Sequence, residues 1–444
     1  MGSLSDSVPF SLSGHNGPMS TTTRTVAVLG STGSIGTQAL QLVAQHPGRF
    51  NAVALAAGTD TEALAGQVRR TGARIVGIAD DGGTPANPGR PPLATALKMA
   101  GVTHEVEILT GPSVAEQIAG ESGVDTVLNG MTGSIGLRPT LAALASGATL
   151  ALANKESLVV GGALVAQAVQ RPGQIVPVDS EHSALAQSLA SGRHEKGLCS
   201  PRRTGDSEVR RLVITASGGP FLGWPTESLT TVTPAQALKH PNFSMGRVVT
   251  TNSATMVNKA LEVIEAHLLF DVPLKDVETV VHPQQIIHSL VEFRDGSTIA
   301  QAGPPRMLVP IALGLSWPER LEGVDDPVDW QQAMQWDFEP LDHEAFPAVR
   351  LAKQACAASP THMAVYNAAN EQAVDAFHEG RLGFPGILHV VEEVLALHEG
   401  HRDLPEALTL EDVLGAEEQA RTLADELIAS KALGVGAVPP GGVQ

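Results

Sequence analysis

The sequence predicts an α/β protein in three parts: a parallel sheet with crossover helices, then a mixed α+β unit, then a bundle of helices. Three observations lead to this fold class. Short apolar runs alternate with helical patterns in the N-terminal part, a hairpin signal follows in the middle, and amphipathic segments close the chain. With 444 residues the chain is too long for a single hydrophobic core, so we expect several domains.

The N-terminal part alternates strand and helix patterns. We predict strands at 25–29, 52–56, 75–79, 106–109, 126–128 and 149–153. The turn after the first strand reads GSTGSIG at 30–36 and carries glycine every three residues. This is a variant of the dinucleotide fingerprint, in which glycine lets the backbone approach a pyrophosphate at a helix N-terminus. The pattern favours a Rossmann-like cofactor domain, although such turns also use glycine for geometry alone.

Two further features of this part leave alternatives open. A second copy of the turn, GMTGSIG at 130–136, follows a predicted strand, and we interpret it as another tight turn and not as a second nucleotide site. Asp60 follows the second strand, where an acidic side chain binds the ribose hydroxyls of NAD. Asp60 is equally suited to cap a helix that begins at Thr61. The preference between NADH and NADPH therefore stays open at this point.

Acidic and basic residues cluster after the sheet. Lys155 and Glu156 come directly after an apolar run, at the edge where ligands bind in open α/β sheets. Asp179 and Glu181 are two residues apart, so on an extended segment both carboxylates point to one side. With Glu262 they form an all-oxygen site suited to Mg²⁺ or Mn²⁺. The alternative for Asp179 and Glu181 is a solvated acidic turn. For the helix that carries Lys259 and Glu262 it is a surface helix with an ordinary Lys–Glu pair.

The sequence also predicts a phosphate site. Ser253 is a good N-cap residue, and the apolar positions after it follow helical spacing. Asn258, Lys259 and Glu262 then share a polar face of that helix. A helix start with free N–H groups, a hydroxyl, an amide and a lysine suits a phosphate. Ser217, in a Gly-rich turn after an apolar strand, offers a second cradle of this kind.

Composition excludes several classes of partner. The formal net charge of −18 argues against a nucleic-acid partner and against anchoring on an anionic membrane. No apolar run approaches the length of a membrane span. Cys199 and Cys356 are far apart and lack metal spacing, which fits a reducing cytoplasm. Residues 1–24 lack the features of a secretion signal, so we expect a disordered extension with Met1 and Met19 both open as the native start.

The predicted units follow changes in sequence pattern. They are a disordered extension at 1–24, a dinucleotide-binding domain at 25–178, a catalytic, connective and dimerisation domain at 179–320, a linker arm at 321–344, a helical bundle at 345–431 and a disordered tail at 432–444. The second domain contains the hairpin signal, with strands at 286–293 and 298–302 joined at Asp295-Gly296.

Eight motifs occur along the chain in the order GSTGSIG, NKES, DSEH, SGGPF, HPNFSMG, NSATMVNKALE, HPQQIIHS and NAANE. In this order they closely resemble the 1-deoxy-D-xylulose 5-phosphate reductoisomerase family, over about residues 25–427. The resemblance implies a homodimeric enzyme of isoprenoid precursor biosynthesis in the methylerythritol phosphate pathway. Such an enzyme uses a divalent metal to rearrange 1-deoxy-D-xylulose 5-phosphate and then reduces the resulting aldehyde with NADPH to 2-C-methyl-D-erythritol 4-phosphate.

The resemblance also implies roles for individual residues. The metal ligands would be Asp179, Glu181 and Glu262. The substrate phosphate would contact Ser217, Ser253, Asn258 and Lys259. The carbon skeleton would be surrounded by Lys155, Ser180, Glu181, His240 and Glu262. The nicotinamide cofactor would contact Thr32, Gly33, Ser34, Ile35, Gly58, Asn154, Glu156 and Gly246. The residues expected to be catalytic are Lys155, Asp179, Glu181, His240 and Glu262.

Four features depart from the usual pattern of that family, one of which is the segment 304–307, PPRM, in place of a segment that usually contains an acidic residue. Thr59 and Asp60 stand where residues that suit NADPH are usual, so these positions leave NADPH and NADH both open. Phe243 replaces the usual Trp in the loop 237–247, which we expect to close over the substrate. The insert 193–209 is expected to form a surface loop.

Two other functions remain as alternatives: another NAD(P)-dependent oxidoreductase acting on a phosphorylated substrate, and a nucleotide-sensing regulator without enzymatic activity.

Overall fold

The computed structural model describes residues 23–85, 87–239, 246–399 and 408–432. Within these ranges the N-terminal part forms a seven-stranded parallel sheet in the order β4-β3-β2-β1-β5-β6-β7. Its strands are β1 (Arg24–Leu29), β2 (Phe50–Ala57), β3 (Ile75–Ile78), β4 (Glu107–Thr110), β5 (Thr126–Asn129), β6 (Thr149–Leu152) and β7 (Ile175–Pro177). The six predicted strands are confirmed, and β1 begins at Arg24, inside the extension expected at 1–24. The sequence pattern does not predict β7, because three residues are too few to show a period.

The strand order reverses between β1 and β5, whose carboxyl ends lie side by side. The N–H of Gly130 donates to the carbonyl oxygen of Leu29 at 3.0 Å. Gly30 has a φ of +71°, and a Cβ there would lie 2.8 Å from the Gly130 carbonyl oxygen, so the close approach requires glycine. The second Gly-rich turn is thus the tight turn that we expected, and it packs against the first. Open α/β sheets bind their ligands at such a reversal point.

Helices cover both faces of this sheet. They are α1 (Ser34–Gln45), α2 (Thr61–Thr71), α3 (Leu93–Met99), α4 (Val114–Glu121), α5 (Leu137–Ala145) and α6 (Lys155–Ala168). In β1, Val26 and Val28 belong to one hydrophobic core, whereas Ala27 and Leu29 belong to the other. This alternation arises because successive side chains of a strand point to opposite faces, and it explains why the parallel strands read as continuous apolar runs.

The central part contains a second sheet, in the order β11-β10-β8-β9-β12. Its strands are β8 (Val209–Ala216), β9 (Val277–Val281), β10 (Ile287–Phe293), β11 (Thr298–Ala302) and β12 (Glu339–Pro340). The antiparallel pairing of β10 with β11 confirms the predicted hairpin. The helices of this part are α7 (Ser180–Leu189), α8 (Pro234–Ala237), α9 (Arg247–Ala254), α10 (Val257–Phe270) and α11 (Leu308–Ser316).

Two local predictions in this part are wrong. Ser253 does not cap a helix, because it lies in the last turn of α9 and its hydroxyl donates to the carbonyl oxygen of Val249 at 3.1 Å. Met256, with a φ of 64°, separates α9 from α10, and an apolar side chain in a helical period gives no sign of such a break. Asp179 and Glu181 do not lie on an extended segment, because Asp179 is the N-cap of α7 and Glu181 is in its first turn.

The insert 193–209 is fixed to the protein more firmly than a surface loop would be. The N–H of Glu208 donates to the carbonyl oxygen of Arg193 at 2.8 Å, which closes the base of the insert. Leu198 is buried, and its N–H donates to the carbonyl oxygen of Leu269 at 2.7 Å. The insert therefore folds back against the end of α10.

The C-terminal part of the described chain contains four helices, in agreement with the expected helical bundle: α12 (Ala348–Ala358), α13 (His362–His378), α14 (Gly386–Leu397) and α15 (Leu410–Ala432). They share one continuous core with the first sheet and α10, so the bundle packs on the rest of the protein. The segment expected as a linker arm contributes β12, which pairs with β9. Among the described residues, no helix has the length and apolarity needed to cross a membrane.

Candidate active site

A cavity of about 600 Å³ lies at the carboxyl edge of the first sheet. Its walls come from both Gly-rich turns, from the first turns of α6 and α7, and from α9 and α10. The turn after β8 and the segment before α11 complete the lining. Segments far apart in the sequence thus meet at the place where the strand order reverses.

Three acidic side chains converge in this cavity. Asp179 caps α7 and accepts a hydrogen bond from the N–H of Glu181 at 3.3 Å. Glu262 lies in the second turn of α10 and is only 1% exposed. One carboxylate oxygen from each of the three residues lies within 4.8 Å of those from the other two. The structure therefore brings together the carboxylates that the sequence suggested, although through helix starts and not through an extended segment.

Two buried lysines neutralise most of this acidic charge. The Nζ of Lys155 is 2.7 Å from Glu262 Oε1 and also contacts Asp179. The Nζ of Lys259 is 2.6 Å from Glu181 Oε1 and also contacts Glu262. Burial alone would lower the pKa of both lysines, but the surrounding carboxylates outweigh it and raise both pKa values. With both ammonium groups charged, the five side chains together carry one negative charge in excess.

A buried His–Glu pair adjoins the cluster, and the sequence analysis assigns it no role. The Nε2 of His182 donates to the carbonyl oxygen of Glu262 at 2.8 Å, and its Nδ1 lies 3.2 Å from Glu265 Oε2. Burial alone would lower the pKa of His182, but Glu265 and Asp179 outweigh it and raise the pKa to about 9. Burial raises the pKa of Glu265 to about 7. The available signal for Glu265 was a carboxylate three residues after Glu262 in an otherwise apolar stretch of α10.

The donor set fits a hard divalent cation. Mg²⁺ and Mn²⁺ prefer carboxylate oxygens, and those of Asp179, Glu181 and Glu262 are close enough to share one ion. The ammonium groups of Lys155 and Lys259 are drawn to the same oxygens, so the cluster already stabilises positive charge. The choice between the two metals stays open, because both accept the same ligands.

The first Gly-rich turn forms another wall of the cavity and suits a dinucleotide. Gly33 is the N-cap of α1, and no side chain caps this helix, so its first N–H groups can bind an anion. A Cβ on Gly36 would lie 2.4 Å from the Gly30 carbonyl oxygen, so the turn packs tightly against the start of α1. The turn thus exposes backbone N–H groups to the cavity and packs closely against the helix behind it. This is the arrangement that binds a pyrophosphate in dinucleotide folds.

Five of the eight residues expected at the cofactor line the cavity: Gly33, Ser34, Ile35, Glu156 and Gly246. Thr32, Gly58 and Asn154 do not line it. Asn154 is fully buried, and its Nδ2 donates to the carbonyl oxygens of Met131 and Gly133, each at 3.0 Å. Its Oδ1 caps α6 by accepting from the N–H of Ser157. Asn154 therefore supports the second Gly-rich turn from behind.

Eight of the nine residues expected at the substrate line the cavity: Lys155, Ser180, Glu181, Ser217, Ser253, Asn258, Lys259 and Glu262. The ninth, His240, and the expected lid residue Phe243 lie outside the described residues. Gly219 has a φ of +68°, and a Cβ there would lie 2.9 Å from the carbonyl oxygen of Ser253. This close packing places the turn that carries Ser217 beside the end of α9.

Asp60 has the capping role that we considered as an alternative. Its Oδ1 accepts a hydrogen bond from the N–H of Ala63 at 3.0 Å, which caps α2. The same carboxylate forms an ion pair with Arg90. Asp60 is thus engaged by the protein and does not present a free carboxylate to a ribose.

The fold and the site define a class of protein: a nucleotide-dependent oxidoreductase with a divalent-cation site in the same cavity. Three family models match the chain and narrow this class. They are 1-deoxy-D-xylulose 5-phosphate reductoisomerase at residues 26–162, its C-terminal domain at 175–270, and the DXP reductoisomerase C-terminal domain at 302–423.

Individual relatives agree with these models. The 1-deoxy-D-xylulose 5-phosphate reductoisomerase of Beutenbergia cavernae is 55% identical over 412 residues, which cover 91% of this chain and 98% of that protein. The solved enzyme from Zymomonas mobilis in complex with NADPH is 40% identical, with a TM-score of 0.79, and covers 92% of this chain and 100% of its own. A DOX-P reductoisomerase in complex with NADPH, fosmidomycin and magnesium is 33% identical, with a TM-score of 0.81 over 93% of this chain and 100% of its own. The chain therefore belongs to the 1-deoxy-D-xylulose 5-phosphate reductoisomerase family of NADPH-dependent oxidoreductases.

Proposed function

We propose that this chain converts 1-deoxy-D-xylulose 5-phosphate to 2-C-methyl-D-erythritol 4-phosphate by a metal-dependent rearrangement followed by reduction with NADPH. One observation carries the proposal: three buried carboxylates and two lysines share a cavity with the Gly-rich turn of a dinucleotide-binding sheet. The rearrangement needs polarised oxygens and the reduction needs a nicotinamide. A single cavity with both kinds of site allows the two steps to follow one another without release of the aldehyde.

Asp179, Glu181 and Glu262 would hold the cation. When bound, the cation supplies Lewis-acid polarisation of substrate oxygens, and NADPH supplies the hydride. His182 acts on the same site as a positioning residue, because its hydrogen bond to the Glu262 carbonyl oxygen fixes the backbone that carries this carboxylate. Glu265 in turn keeps His182 charged, since its carboxylate contributes to the raised pKa of the imidazole.

Lys155 acts as a hydrogen-bond donor in this scheme. The neighbouring carboxylates, Asp179 and Glu262 first, outweigh burial and raise the pKa of its ammonium group, which can therefore donate hydrogen bonds to substrate oxygens. Asp179 and Glu262 hold it at the wall of the cavity. From there the ammonium group can stabilise an oxygen that gains negative charge as a carbon–carbon bond of the substrate breaks and re-forms.

The phosphate of the substrate would bind beside the same cluster, where the Nζ of Lys155 lies 3.1 Å from Asn258 Oδ1. Ser217, Ser253 and Asn258 offer two hydroxyls and an amide, and Lys259 offers a charged ammonium group. Binding energy gained at the phosphate holds the reacting carbons in place, although the phosphate itself does not react. His240 lies outside the described residues. We place it near the carbon skeleton of the substrate only because of the family resemblance.

The cofactor would lie along the first Gly-rich turn. The N–H groups at the start of α1, with Gly33, Ser34 and Ile35, suit the pyrophosphate. Glu156 and Gly246 line the same cavity and would contact other parts of the cofactor. Burial raises the pKa of Glu156, and this carboxyl accepts a hydrogen bond from the Nδ2 of Asn154 at 3.0 Å, so its orientation is fixed before the cofactor binds.

We also infer a homodimer in the cytoplasm. β11 is an edge strand of the second sheet, its residues are mostly exposed and none of them is charged, so it can pair with a second copy of the chain. Cys199 and Cys356 are both free thiols, which agrees with a reducing compartment.

The test is loss of nicotinamide absorbance with 1-deoxy-D-xylulose 5-phosphate, NADPH and either Mg²⁺ or Mn²⁺. We expect oxidation of NADPH that stops when a chelator removes the metal and resumes when the metal is restored. Identification of 2-C-methyl-D-erythritol 4-phosphate by mass spectrometry separates the full reaction from simple reduction of a ketose. A folded protein that consumes no NADPH with either metal would contradict the proposal.

A further inference from the structure

An arginine that belongs to none of the sequence motifs lies at the carboxyl end of β2. Arg90 comes from the loop 80–92, which joins β3 to α3. Its Nη1 contacts the carboxylate of Asp60 and lies 3.6 Å from Glu62 Oε2. Asp60 caps α2, and three residues separate this helix from the end of β2. The guanidinium therefore lies at the start of α2, where dinucleotide folds receive the adenosine ribose.

Hydrogen bonds on both sides of Arg90 fix its loop to the segment after β2. The Nδ2 of Asn87 donates to the carbonyl oxygen of Thr59 at 2.9 Å. The Oγ1 of Thr61 donates to the carbonyl oxygen of Pro91 at 2.8 Å. Because the backbone before and after Arg90 is held in this way, the position of the side chain is set by the fold and not by the ion pair alone.

The charges at this position suit a phosphate better than a ribose diol. An acidic residue after the second strand binds the 2′-hydroxyl of NAD, whereas a nearby arginine accommodates the 2′-phosphate of NADP. Asp60 is engaged by the N–H of Ala63 and by Arg90, so its carboxylate is not available to the diol. Arg90 is about one-third exposed, and among the described residues its Nε and Nη2 have no hydrogen-bond partner.

We propose that Arg90 binds the 2′-phosphate of NADPH and sets the preference of this chain for NADPH over NADH, with Asp60 as the residue that positions it. This inference rests on the proposed function. A guanidinium offers a planar pair of N–H donors that matches phosphate oxygens, so two of its nitrogens can serve the phosphate while Nη1 stays with Asp60. The negative charge of Asp60 is offset by Arg90 and by the N-terminus of α2, which reduces its repulsion of the phosphate.

The test compares binding of two adenosine nucleotides to the full-length protein by titration calorimetry. Adenosine 2′,5′-bisphosphate carries the 2′-phosphate, and adenosine 5′-diphosphate lacks it. We expect Arg90→Ala to weaken binding of the first ligand, and of NADPH, by about tenfold or more, and to leave adenosine 5′-diphosphate and NADH nearly unchanged. Arg69→Ala removes the same charge from an exposed position at the far end of α2 and should change neither affinity.

Two further variants keep the test decisive. Arg90→Lys keeps the positive charge but loses the planar pair of N–H donors. Its affinity for the 2′-phosphate should therefore fall between those of wild type and Arg90→Ala. Asp60→Asn keeps a good cap and should leave NADH affinity unchanged, because the carboxylate does not bind the diol. Thermal unfolding shows whether each variant is folded.

The outcomes separate this inference from the proposed function. One outcome overturns the inference alone: the wild-type protein binds NADPH and turns it over, and a folded Arg90→Ala or Arg90→Lys variant keeps the wild-type preference for NADPH over NADH. Arg90 would then only fasten the loop. Weaker NADH binding by Asp60→Asn also overturns it, because Asp60 would then bind the ribose. A wild-type protein that binds neither NADPH nor adenosine 2′,5′-bisphosphate overturns both.

Discussion

Glu262 connects the two lysines of the active-site cluster to each other. One of its oxygens accepts from Lys155 and the other from Lys259, and the side chain is almost completely buried. Removal of its charge would leave two ammonium groups with only two carboxylates and would take one ligand from the proposed cation site. The first Gly-rich turn lies on other elements of the chain. Loss of the Glu262 charge should therefore affect turnover much more than cofactor binding.

We expect Glu262→Gln to lower kcat by at least about a hundredfold, because the cation site loses a ligand and the electrostatic stabilisation that depends on it. NADPH affinity should stay within about twofold of wild type, since the Gly-rich turn is untouched. Steady-state kinetics and NADPH titration measure the two effects. Glu278→Gln, at an exposed position of β9, is the matched control and should have normal activity. Near-normal turnover by Glu262→Gln would rule out the three-carboxylate metal site.

The reactive side chains of the site could be predicted from the sequence, but the residues that hold them in place could not. Asp179, Glu181 and Glu262 were visible as carboxylates in motifs, and their side chains do converge. Glu265 and Arg90 were not visible, because a carboxylate in an apolar helix and an arginine in an irregular loop gain their meaning only from neighbours that are distant in sequence.

Among the structural elements, the first Gly-rich turn depends on close packing that a side chain would disturb. A Cβ on Gly36 would meet the carbonyl oxygen of Gly30 at 2.4 Å and the Cα of Ser31 at 2.5 Å. These are backbone atoms, so the turn itself would have to move. Because we propose that the N–H groups of the same turn bind the cofactor, displacement of the turn should weaken cofactor binding.

We expect Gly36→Ala to weaken NADPH binding by about tenfold or more through this displacement, with a smaller loss of thermal stability. Fluorescence titration of NADPH measures the affinity. Gly48→Ala is the matched control, because Gly48 lies in an exposed turn before β2 and a Cβ there would have no heavy atom within 4 Å. Equal NADPH affinity in the two variants would show that the turn does not hold the cofactor.

The C-terminus of α10 contains a residue in a strained conformation. Asp271 follows the helix with a φ of 50°, in the left-handed region that favours glycine. Its side chain is largely exposed and its ion pair with Lys196, at 3.5 Å, contributes little. We expect Asp271→Gly to raise the free energy of unfolding by about 0.5–1 kcal/mol, and Asp271→Ala to lower it, in urea denaturation followed by circular dichroism. A loss of stability in Asp271→Gly would mean that the aspartate side chain matters more than the backbone.

The elements themselves could be predicted where a period is long enough to be seen. The six longer strands of the first sheet and the helical character of the segment 345–431 were expected close to where they lie. β7 has only three residues, and the division between α9 and α10 depends on one backbone angle at Met256. Such features are decided by tertiary packing, since Met256 is buried and the apolar period runs through it without interruption.

For the whole molecule, the order of the parts was predictable but their mutual packing was not. The alternation of strands and helices indicates a parallel sheet, and the reversal of its strand order then places the cavity. One core nevertheless runs from Ala27 in β1 to Ile428 in α15, so the C-terminal bundle and the cofactor sheet stabilise each other. The proposed domain boundaries at 25–178, 179–320 and 345–431 remain predictions, because a shared core gives no sharp division.

Among the described residues, none covers the β11 edge of the second sheet. β11 forms its edge, and Ile299 in this strand is 38% exposed. Soluble proteins normally protect an edge strand with charges, with proline or with a covering segment. The sequence of β11, TIAQA, contains neither a charge nor a proline. Pairing of this edge with a second copy would satisfy its backbone groups and remove Ile299 from water.

We therefore expect the wild-type protein to have twice the mass of one chain in size-exclusion chromatography with light scattering. Ile299→Lys should shift it towards a monomer, because a charge on the edge opposes pairing. Ile108→Lys is the matched control, since Ile108 is equally exposed on β4, the edge strand of the first sheet, which already carries a charged residue at Glu107. A monomeric wild type, or a dimer that persists in Ile299→Lys, would show that β11 is not the contact between copies.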